Sequence, residues 1–119
     1  NEFFRENVAM EYREVKIEVY IPIGFVEELR NGLNSIGACH IGKYDNCISV
    51  IQVSGYWRPL DGAQPYDGEV GEISYGQECQ VEVRCKTEFI KDAIRMIRKI
   101  HPYEEPVYNI IPLVNDRYE

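Results

Sequence analysis

Val15-Lys16-Ile17-Glu18-Val19-Tyr20-Ile21 alternates at period two, the pattern of a half-buried strand, and Pro22 and Gly24 end it. Phe25, Val26, Leu29, Leu33 and Ile36 then recur at helical spacing. Glu27, Glu28, Arg30 and Asn34 take the opposite side, and Gly37 stands where the helix should stop. Tyr44 to Val53 reads as a second strand, entered through Gly42–Asn46. Gln77 to Cys85 reads as a third, with Val81, Val83 and Cys85 inward and Glu82 and Arg84 outward. Thr87 is the expected N-cap of a second helix with an apolar stripe of Phe89, Ile90, Ala93, Ile94, Ile97 and Ile100, stopped by Pro102. Val107 to Leu113 reads as a fourth strand, where Pro106 and Pro112 suit an edge.

The order is strand-helix-strand twice over, and Val15–Val19 echoes Cys79–Val83. This predicts an α+β, ferredoxin-like β-α-β-β-α-β domain: one antiparallel sheet with both helices on one face. The domain is expected to span residues 14–115, with 1–13 and 116–119 as terminal tails. Met10 is a natural start, so the residues before it read as an upstream tail or a remnant of expression. The open sheet face is expected to carry Lys16 and Glu18 but also Tyr20, Ile48, Val50 and Tyr108, apolar enough for subunit association to cover it.

This topology decides which residues can meet. Three connections share one end: Pro22–Gly24, the long segment Gly55–Glu72, and the turn His101–Glu105. Cys39, His40 and Cys85 gather at the other, so His40 and His101 are separated within one chain. The long segment is dense in glycine, proline and aromatics, and Tyr56, Trp57 and Arg58 read as a contact surface. His101, Glu104 and Glu105 have the nitrogen and carboxylate ligands that a divalent metal ion takes, and Cys39 and His40 offer a second, weaker set. The structural alternative has Tyr103 packed and the glutamates bonded to loop backbone. No serine has a base partner identifiable from the sequence, phosphate-loop motifs are absent, and no catalytic residue is expected.

With 20 acidic and 13 basic residues among 119, the formal charge of -7 argues against nucleic acid and against an anionic membrane as partners. No apolar run is long enough to span a bilayer. The four cysteines include no Cys-x-x-Cys pair, and no secretory signal accompanies them, so reduced thiols in the cytoplasm are expected. Cys79 and Cys85 share an inward parity about 20 Å apart, too far to share a metal.

His101-Pro102-Tyr103-Glu104-Glu105-Pro106 resembles the closing motif of CutA-type proteins. It is closer still to the inserted domain of YqfO-type proteins of the NGG-interacting-factor family. Gly37–Asp45, Gly55–Ala63 and Pro65–Gly71 extend this second resemblance over nearly everything from Val15 to Leu113. The resemblance implies a CutA/PII-like fold, a homotrimer, and ligands or protein partners met at clefts between subunits near the loop. In YqfO-type proteins a metal pair lies in domains flanking this insert, so a hydrolase activity of the full proteins is not implied for these residues. Three functions follow. The first is an oligomeric binding or regulatory module without catalysis, meeting its ligand or partner through Tyr56, Trp57, Arg58, His101, Tyr103, Glu104 and Glu105; the others are a CutA-like divalent-metal binder and an enzyme with an inter-subunit site.

Overall fold

The computed structural model describes residues 12–119, so the expected start at Met10 and most of the N-terminal tail lie outside the described residues. β1 (Glu14–Ile21), α1 (Val26–Ser35), β2 (Ser49–Trp57), β3 (Ser74–Lys86), α2 (Ile90–Ile100) and β4 (Val107–Pro112) follow in chain order. The strands form one sheet in the order β2-β3-β1-β4, with every neighbouring pair antiparallel. This is the ferredoxin-like arrangement.

Alternation in β1 and β3 builds the core. Val15, Ile17, Val19 and Ile21 lie buried opposite Cys85, Val83, Val81 and Cys79, because directly paired residues share a face. Leu29 and Leu33 of α1 and Ala93 and Ile97 of α2 cover them. Each large apolar side chain fully buried in this way contributes roughly 1.5–3 kcal/mol.

Gly37 ends the first helical segment at φ +103, and Ala38 N–H closes onto the Leu33 carbonyl at 3.1 Å. Thr87 is not a side-chain cap. Its hydroxyl donates to the Tyr12 carbonyl at 2.6 Å, and a short 3-10 turn over Thr87–Phe89 leads into α2.

The central hairpin differs from its sequence reading. Ile41 and Tyr44 exchange backbone bonds at 2.9 and 3.0 Å in a tight turn, and Asn34 Oδ1 accepts the Asn46 N–H at 2.8 Å, so β2 starts only at Ser49. Both strands then run further than expected, because Gly55 pairs with Gly76 and Tyr56 with Tyr75. The Tyr56 and Tyr75 rings lie 4.9 Å apart, and the Trp57 ring covers Gly76 so closely that a Cβ there would sit 3.1 Å from it. Tyr56 and Trp57 are therefore strand residues, and the loop proper is 58–73.

The open face also needs correction. Val50 pairs with buried Val81 and Tyr108 with buried Val19, so both share the helix side, and Ile48 packs against the core. Apolar residues stand on both parities of these two segments, and only the register separates them. Tyr20 stays on the open face beside Lys16 and Glu18. It is joined by Ile51, Val53, Val107 and Ile111, opposite Gln80, Glu78, Tyr20 and Lys16. At the C-terminus Asp116 pairs with Arg13 at 3.6 Å, and Arg117 lies 5.3 Å from the Tyr12 ring centroid.

Gly37 tests the local account. A Cβ there would stand 2.8 Å from the Phe89 ring at a backbone angle unfavourable to other residues. Gly37→Ala is expected to cost about 1–3 kcal/mol in denaturant unfolding. An unchanged midpoint would show that this turn relaxes freely.

A braced loop at one end of the sheet

β1 ends at Ile21, opposite Cys79, whereas β3 begins five residues earlier at Ser74. Pro22 has no N–H and cannot continue the ladder. The paired ends of β2 and β3 thus project beyond β1 as a two-stranded ribbon. The turn after α2 and the loop 58–73 pack against the step that this leaves.

His101 anchors the turn. It is 7% exposed, and its Nε2–H donates to the Tyr20 carbonyl at 2.5 Å. A carbonyl can only accept, so the proton is on Nε2, and Nδ1 is free to accept the Tyr103 N–H at 3.2 Å. Burial pushes the imidazole below its ordinary 6.5, partly opposed by the bond to Tyr20 and by the Glu78 carboxylate. His101 is thus a neutral ring with both nitrogens occupied, tying the turn to the last residues of β1.

Tyr103 follows it into the step. Its hydroxyl donates to Glu78 Oε2 at 3.1 Å, and its ring lies 4.7 Å from that of His101. Burial first, and the Glu78 charge second, push the phenol up to about 12, so it remains a donor. Tyr66 of the loop lies between Tyr103 and Phe25, at 5.8 and 6.4 Å between ring centroids. Glu104 Oε2 accepts the Gln64 N–H at 3.0 Å, and the Trp57 indole N–H donates to the Asp67 carbonyl at 3.0 Å. The loop is fastened to both the turn and the ribbon.

The expected site residues therefore fall into two groups. Trp57, His101, Tyr103 and Glu104 form the brace, while Tyr56, Arg58 and Glu105 are exposed around it. Phe25, Gln64, Tyr66 and Glu78 belong to the same cluster and were not singled out by sequence. Tyr66-Asp67-Gly68 was the available signal, a turn motif beginning with an aromatic. His101 has no free lone pair for a metal, and no three His, Cys, Asp or Glu side chains among the described residues are placed to hold one.

At the opposite end Cys39 is buried, and its thiol is pushed up to about 12, chiefly by that burial. Cys85, also buried, is raised to about 11. His40 is exposed and Nδ1 donates to the Ala38 carbonyl at 2.6 Å. The two histidines are at opposite ends of the sheet, and Cys39 and His40 are not part of a metal-holding cluster among the described residues.

The fold is that of a ferredoxin-like domain of the CutA/PII-like type. The CutA protein of Archaeoglobus fulgidus superposes with a TM-score of 0.64 at 16% identity, over 85% of this chain and 84% of that one. The match is closer to a Bacillus cereus protein related to NIF3, with a TM-score of 0.76 at 29% identity over 87% of this chain and 26% of that one. The chain is, within its class, homologous to a segment of the proteins named GTP cyclohydrolase 1 type 2 homolog and resembles the inserted domain of the YqfO type. It is 40% identical over 98 residues to that of Bacillus subtilis, covering 82% of this chain and 26% of that protein. For Mycobacterium leprae the figures are 33% over 96 residues, 81% and 25%. The chain thus spans about a quarter of the length of these relatives. No family model matches it.

The neutral His101 makes a signed prediction. Its folded-state affinity for protons lies below the unfolded value, so its contribution is fully present above pH 6.5 and is lost as the pH falls towards the lowered folded value. Thermal unfolding from pH 8 to 5 should show a steeper loss of stability in the wild type than in His101→Asn. At neutral pH, His101→Ala should cost about 1–3 kcal/mol by leaving buried partners unbonded. Parallel pH profiles would rule out a buried neutral imidazole.

Proposed function

We propose that this chain is an oligomeric binding and regulatory module of the CutA/PII-like type, without catalysis of its own. The brace carries this reading: Tyr66 held between Phe25 and Tyr103, with Glu104 on the Gln64 N–H, presents the loop as a shaped surface. Around it Tyr56, Leu60, Ile73 and Tyr75 are 75, 62, 71 and 61% exposed, and Arg58 and Glu105 stand at the rim. Exposed aromatics on a fixed backbone suit recognition of a small ligand or a protein surface. The cyclohydrolase name of the relatives describes much longer proteins, and that activity is not part of the proposal.

The module is proposed to be a cytoplasmic homotrimer whose subunits meet through the open sheet face. Ile51, Val107 and Ile111 are 47, 52 and 37% exposed there, at the two edges of a polar centre. Four free thiols support the cytoplasmic setting, and among the described residues no helix is long and apolar enough to cross a membrane. A competing reading, a divalent-cation binder, draws on two CutA neighbours named for divalent cation tolerance and on the exposed Glu105 carboxylate. It has to do without His101.

Light scattering at micromolar concentration should give three times the mass of one chain, and Ile51→Lys with Ile111→Lys should return it to monomer. A monomeric wild type would overturn the shared cleft. Calorimetric titration with copper or zinc separates the competing reading. Heat that Glu105→Gln abolishes would favour the cation binder; heat that is absent or unchanged by the substitution is the outcome expected here.

A further inference from the structure

A thiol pair lies at the end of the sheet away from the braced loop, independent of the reading above. Cys39 is completely buried and takes φ +69, rare for a residue other than glycine. Its N–H donates to the Arg84 carbonyl at 3.1 Å, and its carbonyl accepts the Cys47 N–H at 2.9 Å. Residues 40–46 are therefore a loop closed by a backbone bond between two cysteines. One such bond keeps the two Cα atoms within roughly 4.5–6.5 Å, inside the range that a disulfide spans.

The two thiols differ in access. Cys47 is part-exposed, and its Sγ is 3.5 Å from the Asp45 carbonyl. It lines a shallow pocket of about 230 Å³ with Lys16, Ser49, Glu82 and Arg84. Cys39 does not line it and is buried in the core. The Arg30 guanidinium, whose buried Nε has no hydrogen-bond partner, favours a thiolate at Cys39, whereas burial and the neighbouring Cys85 and Cys47 thiols oppose one. Cys47 is thus the sulfur that can meet a small disulfide from solution, and Cys39 is the buried one.

We propose that Cys39 and Cys47 form a dithiol exchange site, which takes a low-molecular-weight disulfide at Cys47 and closes to an intramolecular disulfide. In the first step the Cys47 thiolate attacks one sulfur of the small disulfide. That S–S bond breaks, a Cys47–S–S–R bond forms, and the first RS⁻ leaves and takes up the proton that Cys47 released. In the second step the Cys39 thiolate attacks the Cys47 sulfur. The Cys39–Cys47 bond forms as the mixed disulfide breaks, and the second RS⁻ leaves and is protonated. Two protein thiols are oxidised and one small disulfide is reduced to two thiols. The second step is the slow one, because the Cys39 thiolate is scarce, and tethering to Cys47 compensates for this.

The test uses the whole chain, with glutathione disulfide as the oxidant, followed by alkylation, intact mass and a disulfide map. The expected product is linked Cys39 to Cys47 and carries two fewer alkyl groups than the reduced, alkylated chain. Cys39→Ser should stop at one stable glutathionyl adduct on Cys47, whereas Cys85→Ser should still close. A wild-type chain that keeps the adduct, links Cys39 to Cys85, or remains fully reduced would overturn the proposal. The wild-type map decides alone if Cys39→Ser does not fold.

Discussion

The mismatch in length between β1 and β3 underlies the rest of this structure. β3 has 13 residues and β1 has 8, and the register aligns them at Lys86 and Glu14. All the excess therefore falls at one end. Pro22 enforces it by withholding the donor that a longer β1 would need. The projecting ribbon has no sheet neighbour on its β1 side, and the step is filled by whatever the chain places there. His101 to Tyr20 and Tyr103 to Glu78 are the bonds that fill it. The loop then rests on Tyr103, so its position depends on where β1 stops.

The parts legible in the sequence were those where one face of an element is polar. Lys16 and Glu18 in β1, with Glu82 and Arg84 in β3, mark one parity so clearly that phase and core followed at once. β2 carried no such mark, because Val50 and Ile51 are adjacent and apolar on both parities. Gly55 read as the start of the long loop, and Gly76 fell just outside the strand expected from Gln77. Paired opposite one another under Trp57 they extend the hairpin instead, an arrangement visible only once the two segments are aligned. Long-range pairing overrode local propensity here.

The site was legible by location and not by role. Topology brought the closing hexapeptide and the long loop to one end, as observed. The role of His101 depends on a carbonyl 81 residues away, which no local motif discloses. A histidine beside two glutamates suggests ligand chemistry until both ring nitrogens are accounted for. The bond from Gln64 N–H to Glu104 shows the same limit, since backbone donors leave no trace in residue identity.

The charge of the open face bears on whether it can be covered by another subunit. Burying carboxylates without partners costs several kcal/mol each. Glu18 is already only 14% exposed, and Lys16 lies 3.3 Å from it and 3.7 Å from Glu82. The Gln80 amide donates to both carboxylates, at 3.2 and 2.9 Å, and Asn109 reaches Glu18 at 3.5 Å. The polar centre is bonded within the subunit before any partner arrives. Association over this face would have to desolvate a network that is already neutralised in part, while gaining the apolar area of Ile51, Val107 and Ile111 at its edges. Covering the face therefore costs less than a count of its charged residues suggests.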